Sequence, residues 1–200
     1  MQILYAAPEA IVVVKPAGLL SVPGKSQPDC LFARLAGADP EVRQVHRLDM
    51  DTSGVMVFAR TANSQKFLGR QFEKRRVAKT YVACVAGIPD RDSGHIDLPL
   101  GPDWPNRPRQ MVDYVGGRPA RTRWQVVDRA GNCARVTLTP ETGRSHQLRV
   151  HMAAIGHPIL GDAIYGDAGA APRLMLHAQT LAFVVPGPGT WQEFTAPSPF

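Results

Sequence analysis

The sequence predicts an α+β fold with a largely antiparallel sheet and flanking helices and loops. Eighteen glycines and eighteen prolines are spread over all 200 residues, which is typical of short strands joined by turns. Short runs of β-branched residues recur along the chain, whereas only two segments have helical periodicity. These elements are mixed irregularly, without the strict βαβα alternation of a doubly wound fold.

Each predicted strand is a run of strand-forming residues bounded by turn signals. The first, residues 11–14, ends at the turn signal Lys15-Pro16-Ala17-Gly18. The other predicted strands are residues 55–58, 80–85, 120–127, 133–138 and 174–185, the last with a possible break.

The two predicted helices each have an apolar face. Thr61 can cap a helix that runs to about Arg75 and presents Leu68 and Phe72 at i, i+4. The second helix, residues 145–155, has an apolar stripe and ends at Gly156. A row at i, i+4, i+8 on the first helix, called the cationic stripe below, consists of Lys66, Arg70 and Lys74.

Length and charge narrow the class of protein. A chain of 200 residues predicts one domain over residues 1–200. The net charge of +6 and the pI near 9.6 favour a polyanionic partner, nucleic acid before membrane, although a merely basic surface is the alternative. No apolar run approaches the ~18 residues of a membrane helix, and the first residues do not form a secretory signal.

Three cysteines, Cys30, Cys84 and Cys133, lie far apart in the sequence. Their odd number and wide spacing argue against a disulfide framework and against cysteine-bound zinc. We therefore expect reduced thiols in a cytoplasmic protein.

Residues 46–54, with the sequence HRLDMDTSG, are the most informative segment. They precede the predicted strand 55–58, so Asp49 lies on a loop that enters the sheet. The apolar residue Leu48 can anchor this loop, which leaves the flanking Arg47 and Asp49 free to be oriented. From these residues alone, Asp49 is either a turn-forming acid or a functional carboxylate.

The pattern HRLDxxTSG resembles the signature of the RluA-type pseudouridine synthases, whose acid is the catalytic aspartate. The resemblance implies a pseudouridine synthase catalytic domain that isomerises uridine in RNA without a cofactor or metal. Further matching segments are KPAG at 15–18, KTYVA at 79–83, TGRSHQLRVH at 142–151, GHPILGD at 156–162 and LHA at 176–178.

The same resemblance implies roles for individual residues. Asp49 is the nucleophile, and Arg149 pairs with its carboxylate and keeps it ionised. Tyr81 lies against the target uracil and can take part in proton removal. Without the resemblance, its position among strand-forming residues favours a tyrosine of the hydrophobic core. Arg47 fills the space that the flipped base vacates.

Further cations are expected to bind RNA. Arg144 and the cationic stripe would hold phosphates. The loop at residues 98–112 carries Trp104, Arg107 and Arg109 and is suited to grip a folded RNA loop. The alternative is an ordinary surface loop with Trp104 tucked into the body of the protein.

Two short segments indicate the substrates. Residues 21–24 and 103–108 resemble the small family member that modifies both ribosomal and transfer RNA. We therefore expect stem-loops of large-subunit rRNA and of the tRNA anticodon as partners, and a monomer without an obligatory protein partner or membrane contact. Larger relatives carry an S4-type RNA-binding domain, and none is expected before Ile11.

Other classes of function fit the sequence less well. His146 and His151 stand at i, i+5 and do not share a helical face, so no metal site is expected. An N-glycosidase would want a second carboxylate, for which Asp51 is the close candidate. A non-catalytic RNA-binding module would have no use for an Asp–Arg pair.

Overall fold

The computed structural model describes residues 1–24 and 27–200. The chain divides into two compact units. Unit 1 consists of residues 1–79 and 177–199, and unit 2 consists of residues 80–176 together with Phe200. Among the residues described, no helix is long and apolar enough to cross a bilayer.

Helices and short strands occur in irregular order, as the sequence predicts. The helices are α1 (Leu31–Ala38), α2 (Ala62–Glu73) and α3 (Gln147–Ala154), with 3-10 turns at Trp104–Asn106 and Ala168–Ala170. The strands are β1 (Gln2–Ala6), β2 (Ala10–Lys15), β3 (Arg43–Gln44), β4 (Ser53–Ala59), β5 (Ala78–Ala86), β6 (Ser93–Asp97), β7 (Leu100–Pro102), β8 (Gln110–Val112), β9 (Arg121–Ala130), β10 (Cys133–Pro140), β11 (Leu176–Val184) and β12 (Trp191–Thr195).

In unit 1, a mixed sheet is built around the fully buried strand β4. Strands β1, β2, β4, β11 and β12 are neighbours in that order, and β3 pairs with β4. The β4–β11 pair is parallel, and the β1–β2, β2–β4, β3–β4 and β11–β12 pairs are antiparallel. Every residue of β4 is buried, as expected for a strand covered on both faces.

Helix α2 packs on this sheet through an apolar face and one buried amide. Thr61 caps the helix by accepting from the Ser64 N–H at 3.0 Å. Leu68 is buried in the core, and the Gln71 side chain both donates to and accepts from the Val184 backbone at 2.9 Å. The opposite face, which carries the cationic stripe, is exposed.

Unit 2 contains an antiparallel sheet and a separate two-stranded hairpin. Strands β5, β10, β9 and β6 are neighbours in that order, and β7 pairs with β8. Helix α3 buries Leu148 and Met152 against the core of this sheet. The predicted α+β class with a largely antiparallel sheet is confirmed.

The predicted elements form, and the differences have local causes. Residues 176–184 form one strand without the possible break. Helix α1 escaped prediction because its N-cap is Cys30, whose Sγ accepts from the Ala33 N–H at 3.3 Å, and cysteine is not a usual cap. Strands β3, β7 and β8 are too short to have a recognisable period.

Candidate active site

The loop that carries Asp49 is clamped at the residue before it. The Leu48 N–H donates to Ser21 Oγ at 3.0 Å, and the Ser21 hydroxyl donates to the Leu48 carbonyl at 2.7 Å. Leu48 and Ser21 are both buried, whereas Arg47 is exposed and Asp49 is half-buried. Leu48 thus anchors the loop, and the flanking Arg47 and Asp49 remain accessible.

The residue after Asp49 is held by a buried lysine. Lys15 Nζ donates to the carbonyls of Pro16, Leu19 and Met50 at 2.8, 2.6 and 2.7 Å. Because the Lys15 side chain is fully buried, these acceptors offset the cost of removing its charge from water. The KPAG segment is therefore a support for the Asp49 loop, a role that its sequence indicated only as a turn.

His46 attaches the start of the loop to β4 and α2. Its Nε2 accepts from the Val57 N–H at 3.1 Å, and its ring stacks on Phe72 with the centroids 4.5 Å apart. Burial, with a smaller effect of the Lys79 charge, lowers the pKa of His46 to about 3. The imidazole is therefore neutral at neutral pH, as its acceptor role requires.

The end of the loop is joined to β11. His177 Nε2 donates to the Ala196 carbonyl at 2.9 Å, so Nδ1 accepts from the Ser53 hydroxyl at 2.7 Å. A Cβ at Gly54, where φ is +125°, would lie 2.2 Å from the Ala178 carbonyl oxygen. The TSG and LHA segments therefore form one close parallel contact that only glycine permits.

In unit 2, Arg149 and Asp162 form a buried ion pair. Arg149 Nε and Nη2 donate to Asp162 Oδ2 and Oδ1, each at 2.7 Å. The two side chains are 4% and 0% exposed. Burial alone would raise the pKa of Asp162, but Arg149 and the N–H groups of Ile164 and Tyr165 hold it below its ordinary value.

This pair bears on the predicted partner of Arg149. The sequence analysis gave Asp162 no role, although this acid ends the matching segment GHPILGD at 156–162, which was the available signal. The Nε–Nη2 fork holds the carboxylate of Asp162, which orients the guanidinium plane. Pairing of Arg149 with Asp49 stays a prediction.

Tyr165 is a second residue that the sequence did not single out. Its hydroxyl accepts from the Gln110 N–H and lies 2.7 Å from His146 Nδ1. The guanidinium carbons of Arg109 and Arg149 each lie 5.2 Å from the centre of its ring. Tyr165 therefore connects the 98–112 loop to the start of α3 through both its hydroxyl and its ring.

The segment before α3 is shaped by one buried amide. Gln147 Oε1 accepts from the Thr142 hydroxyl at 2.7 Å and from the Arg144 N–H at 3.0 Å. Its Nε2 donates to the Arg121 carbonyl at 2.8 Å and to Thr122 Oγ1 at 3.0 Å. This fixes the backbone at Arg144, one of the predicted RNA-binding residues.

The structure places the other predicted site residues as follows. Tyr81 is half-buried on β5 and packs against the core of unit 2. Trp104 is 67% exposed, and the Arg107 guanidinium lies 4.8 Å from its ring centre. The alternative prediction, in which Trp104 is buried in the body of the protein, is therefore wrong. Arg109 donates to the Ile164 carbonyl at 2.9 Å and is therefore partly structural.

His146 and His151, for which no metal role is expected, both take part in hydrogen bonds. His151 lies between Thr122 Oγ1 and the Leu98 carbonyl, at 2.9 and 3.1 Å, and burial lowers its pKa. Over residues 1–24 and 27–200, no group of three or more His, Cys, Asp or Glu side chains is placed to hold a metal ion. Independence from metals stays a prediction for the reaction.

Comparison with known proteins identifies the family. The family model described as RNA pseudouridylate synthase matches residues 9–154, which include parts of both units. The protein named dual-specificity RNA pseudouridine synthase RluA from Escherichia coli K12 is 51% identical over 99% of this chain and 93% of its own length. The protein of the same name from Yersinia pestis is 49% identical over the full length of both.

Solved structures agree with this assignment. Human RNA pseudouridylate synthase domain containing 1 is 30% identical with a TM-score of 0.82, over 100% of this chain and 84% of that one. Human RNA pseudouridylate synthase domain containing 4 is 26% identical with a TM-score of 0.79, over 99% of this chain and 88% of that one. The chain therefore belongs to the RNA pseudouridylate synthase family, and it is an RluA-type RNA pseudouridine synthase, an isomerase.

Proposed function

We propose that this enzyme isomerises one uridine in a stem-loop of large-subunit ribosomal RNA and one in the anticodon loop of a transfer RNA. Relatives named for dual specificity are identical to it at about half of the positions, over 99% of the chain or more. A small enzyme that recognises a short stem-loop by its shape and phosphates can bind the same structural motif in two different RNAs.

Asp49 acts as the nucleophile in this proposal. The reaction breaks the bond between N1 of uracil and the ribose and forms a bond from C5 to the same ribose carbon. C5 loses a proton and N1 gains one, so the substrate is isomerised without a net change in its atoms. It needs a fixed carboxylate but no oxidant, reductant or energy source. The observation that carries the proposal is the clamping of the Asp49 loop by Ser21 on one side and Lys15 on the other. Such preorganisation keeps a nucleophile in attack geometry.

Two further residues act on the base in this proposal. A uridine in a stem-loop must leave its stack before a carboxylate can reach the glycosidic bond. Arg47 is exposed and lies two residues before Asp49 on the same loop, so it can enter the space that the base leaves. Tyr81 holds the freed uracil against its ring and can assist removal of the C5 proton, and Arg149 keeps Asp49 ionised.

The cationic stripe on α2 binds phosphates of the RNA. In the part of the chain that the structure describes, no ion pair joins Lys66, Arg70 or Lys74 to an acid. On the exposed face of the unit 2 sheet, by contrast, arginines are neutralised by acidic neighbours. These pairs are Arg121–Asp97, Arg123–Glu141 and Arg129–Asp92. RNA phosphates are therefore the fitting counter-charge for the stripe.

Replacing Lys66, Arg70 and Lys74 together by glutamine should weaken RNA binding and its salt dependence. The slope of log K against log salt concentration should fall in magnitude by about 2, because the variant makes three fewer phosphate contacts and therefore releases fewer counterions when it binds. Binding of a labelled stem-loop, titrated at several salt concentrations, measures this slope. The control replaces the acid-paired Arg121 and Arg123 by glutamine, and its slope should stay close to that of wild type.

A slope equal to wild type in the variant of Lys66, Arg70 and Lys74 would contradict phosphate binding by the cationic stripe.

The substrate proposal is tested with the purified protein and each isolated stem-loop. We expect pseudouridine at one position in the ribosomal stem-loop and at one position in the anticodon stem-loop. Modification of only one RNA would reduce the proposal to a single substrate, and modification of neither would refute it.

The cell compartment and assembly state belong to the same proposal. We infer a cytoplasmic location, since the similar RluA proteins are bacterial and ribosomal and transfer RNA are cytoplasmic in bacteria. A monomer without an obligatory protein partner is the other part of this proposal. All three cysteines are free thiols, which agrees with a reducing compartment.

A further inference from the structure

Exposed apolar side chains concentrate in one short stretch of unit 2. Of the eleven large hydrophobic residues that are exposed within residues 1–24 and 27–200, four lie between positions 104 and 115. They are Trp104, Met111, Tyr114 and Val115. Tyr114 and Val115 are 76% and 100% exposed. Large exposed apolar groups gathered in one short loop segment identify a candidate binding surface.

The turn that carries Tyr114 and Val115 is held by its own hydrogen bonds. Asp113 Oδ1 accepts from the N–H groups of Val115 and Gly116 at 3.0 and 2.9 Å, and the Gly117 N–H donates to the Asp113 carbonyl at 3.1 Å. A Cβ at Gly117 would lie 2.1 Å from that carbonyl oxygen, so a larger residue does not fit. The two apolar side chains are thus displayed by a preorganised turn.

Three arginines lie near this turn, either in sequence or through a contact with a residue beside it. The Arg107 guanidinium covers one face of Trp104. Arg118, which follows the turn, is exposed and pairs through its backbone with Leu100. Arg144 Nε donates to the neighbouring Pro119 carbonyl at 3.2 Å. Three cations therefore lie close in sequence or contact to the displayed aromatic and aliphatic groups.

This combination selects the chemistry of the partner. Single-stranded nucleic acid presents flat apolar bases and anionic phosphates together, and exposed aromatic rings beside arginines are suited to bind both. Sequence-specific proteins bind RNA through unstacked loop bases that lie on aromatic side chains. The turn at residues 113–117 matches an unpaired nucleotide with its base on Tyr114 and its phosphate near Arg107 or Arg118.

We propose that Tyr114 and Val115 form a stacking platform for an unpaired loop base other than the isomerised uridine. Tyr114 contributes its ring face, and Val115 covers the edge of the same base. The platform lets the enzyme select stem-loops with a splayed loop nucleotide. This inference rests on the RNA stem-loop substrates proposed above.

Kinetics of Tyr114 variants test the platform. For an isolated stem-loop, Tyr114→Ala and Tyr114→Leu should raise KM about tenfold with kcat changed less than about twofold, because base–aromatic stacking is lost. Tyr114→Phe should behave like wild type, since the ring is kept. Val127→Ser is the control, because Val127 is also exposed, at 58%, but lies on β9 outside the turn.

A fluorescent base reports the contact directly and without turnover. The probe is 2-aminopurine, placed at each loop position of the stem-loop in turn and bound to the Asp49→Asn protein. Its fluorescence should be quenched at one position, and Tyr114→Ala in the same background should restore it. A KM for Tyr114→Ala equal to wild type, or equal losses in Tyr114→Phe and Tyr114→Ala, would overturn the stacking role. Absence of pseudouridine in both RNAs with wild type would instead refute the proposed function, and quenching would still be measurable.

Discussion

Replacing Asp49 by asparagine should lower kcat by about 10³-fold or more while RNA binding and stability stay close to wild type. Asparagine has the same shape, so the clamp by Ser21 and Lys15 on the neighbouring residues is kept. It lacks an anionic oxygen and cannot act as the nucleophile. Release of the C5 proton from labelled uridine, under single-turnover conditions, measures the chemical step.

Asp51 offers the matched control for this variant. It is a half-buried acid on the same loop, two residues from Asp49, and Asp51→Asn should retain nearly full activity. Near-normal turnover by Asp49→Asn would contradict the mechanism. Release of free uracil by wild type, with loss of that release in Asp51→Asn, would favour an N-glycosidase that uses two carboxylates.

Replacing Arg149 by methionine should destabilise the protein by about 3–5 kcal/mol and strongly reduce activity. Asp162 would then be a fully buried carboxylate without its cation. Arg149→Lys should be less damaging, because lysine keeps the charge but cannot span both carboxylate oxygens as the guanidinium does. Urea unfolding gives the free energy, and single-turnover kinetics give the activity.

A double variant separates the structural role of Arg149 from its role near the reaction. Arg149→Met with Asp162→Leu removes both buried charges and should recover part of the stability but not the activity. Recovery of both would show that Arg149 acts only through the fold. An acidic limb of the pH–rate profile that is identical in wild type and Arg149→Lys would contradict direct pairing of Arg149 with Asp49.

The same pair predicts how stability depends on pH. Since Asp162 has a pKa below its ordinary value in the folded state, the unfolded chain takes up a proton first as the pH falls below about 4. The contribution of the pair is therefore complete above that pH and is lost as the pH falls through the folded pKa. The double variant should lose less stability over this acid range than wild type.

Local patterns in the sequence determined most elements of the fold and the identity of the catalytic loop. Runs of β-branched and aromatic residues identified β2, β4, β5, β9, β10 and β11, because such side chains fit a pleated, half-buried surface wherever the strand is placed. The i, i+4 spacing of Leu68 and Phe72, with Thr61 as the N-cap, located α2, because helix periodicity and capping involve residues that are close in sequence. The order of residues in 46–54 was sufficient to recognise the family and to place Asp49 beside a buried anchor.

Only the tertiary structure decided which partners hold the functional loops. Lys15 lies 35 residues from Met50, and Ser21 lies 27 residues from Leu48, yet their hydrogen bonds fix the backbone on both sides of Asp49. The pairing of Asp162 with Nε and Nη2 of Arg149 likewise became visible only in the folded chain. A buried polar group must find a partner, but many donors and acceptors along the chain could serve. Which one is within reach depends on how the strands and turns pack, and sequence spacing does not carry that information.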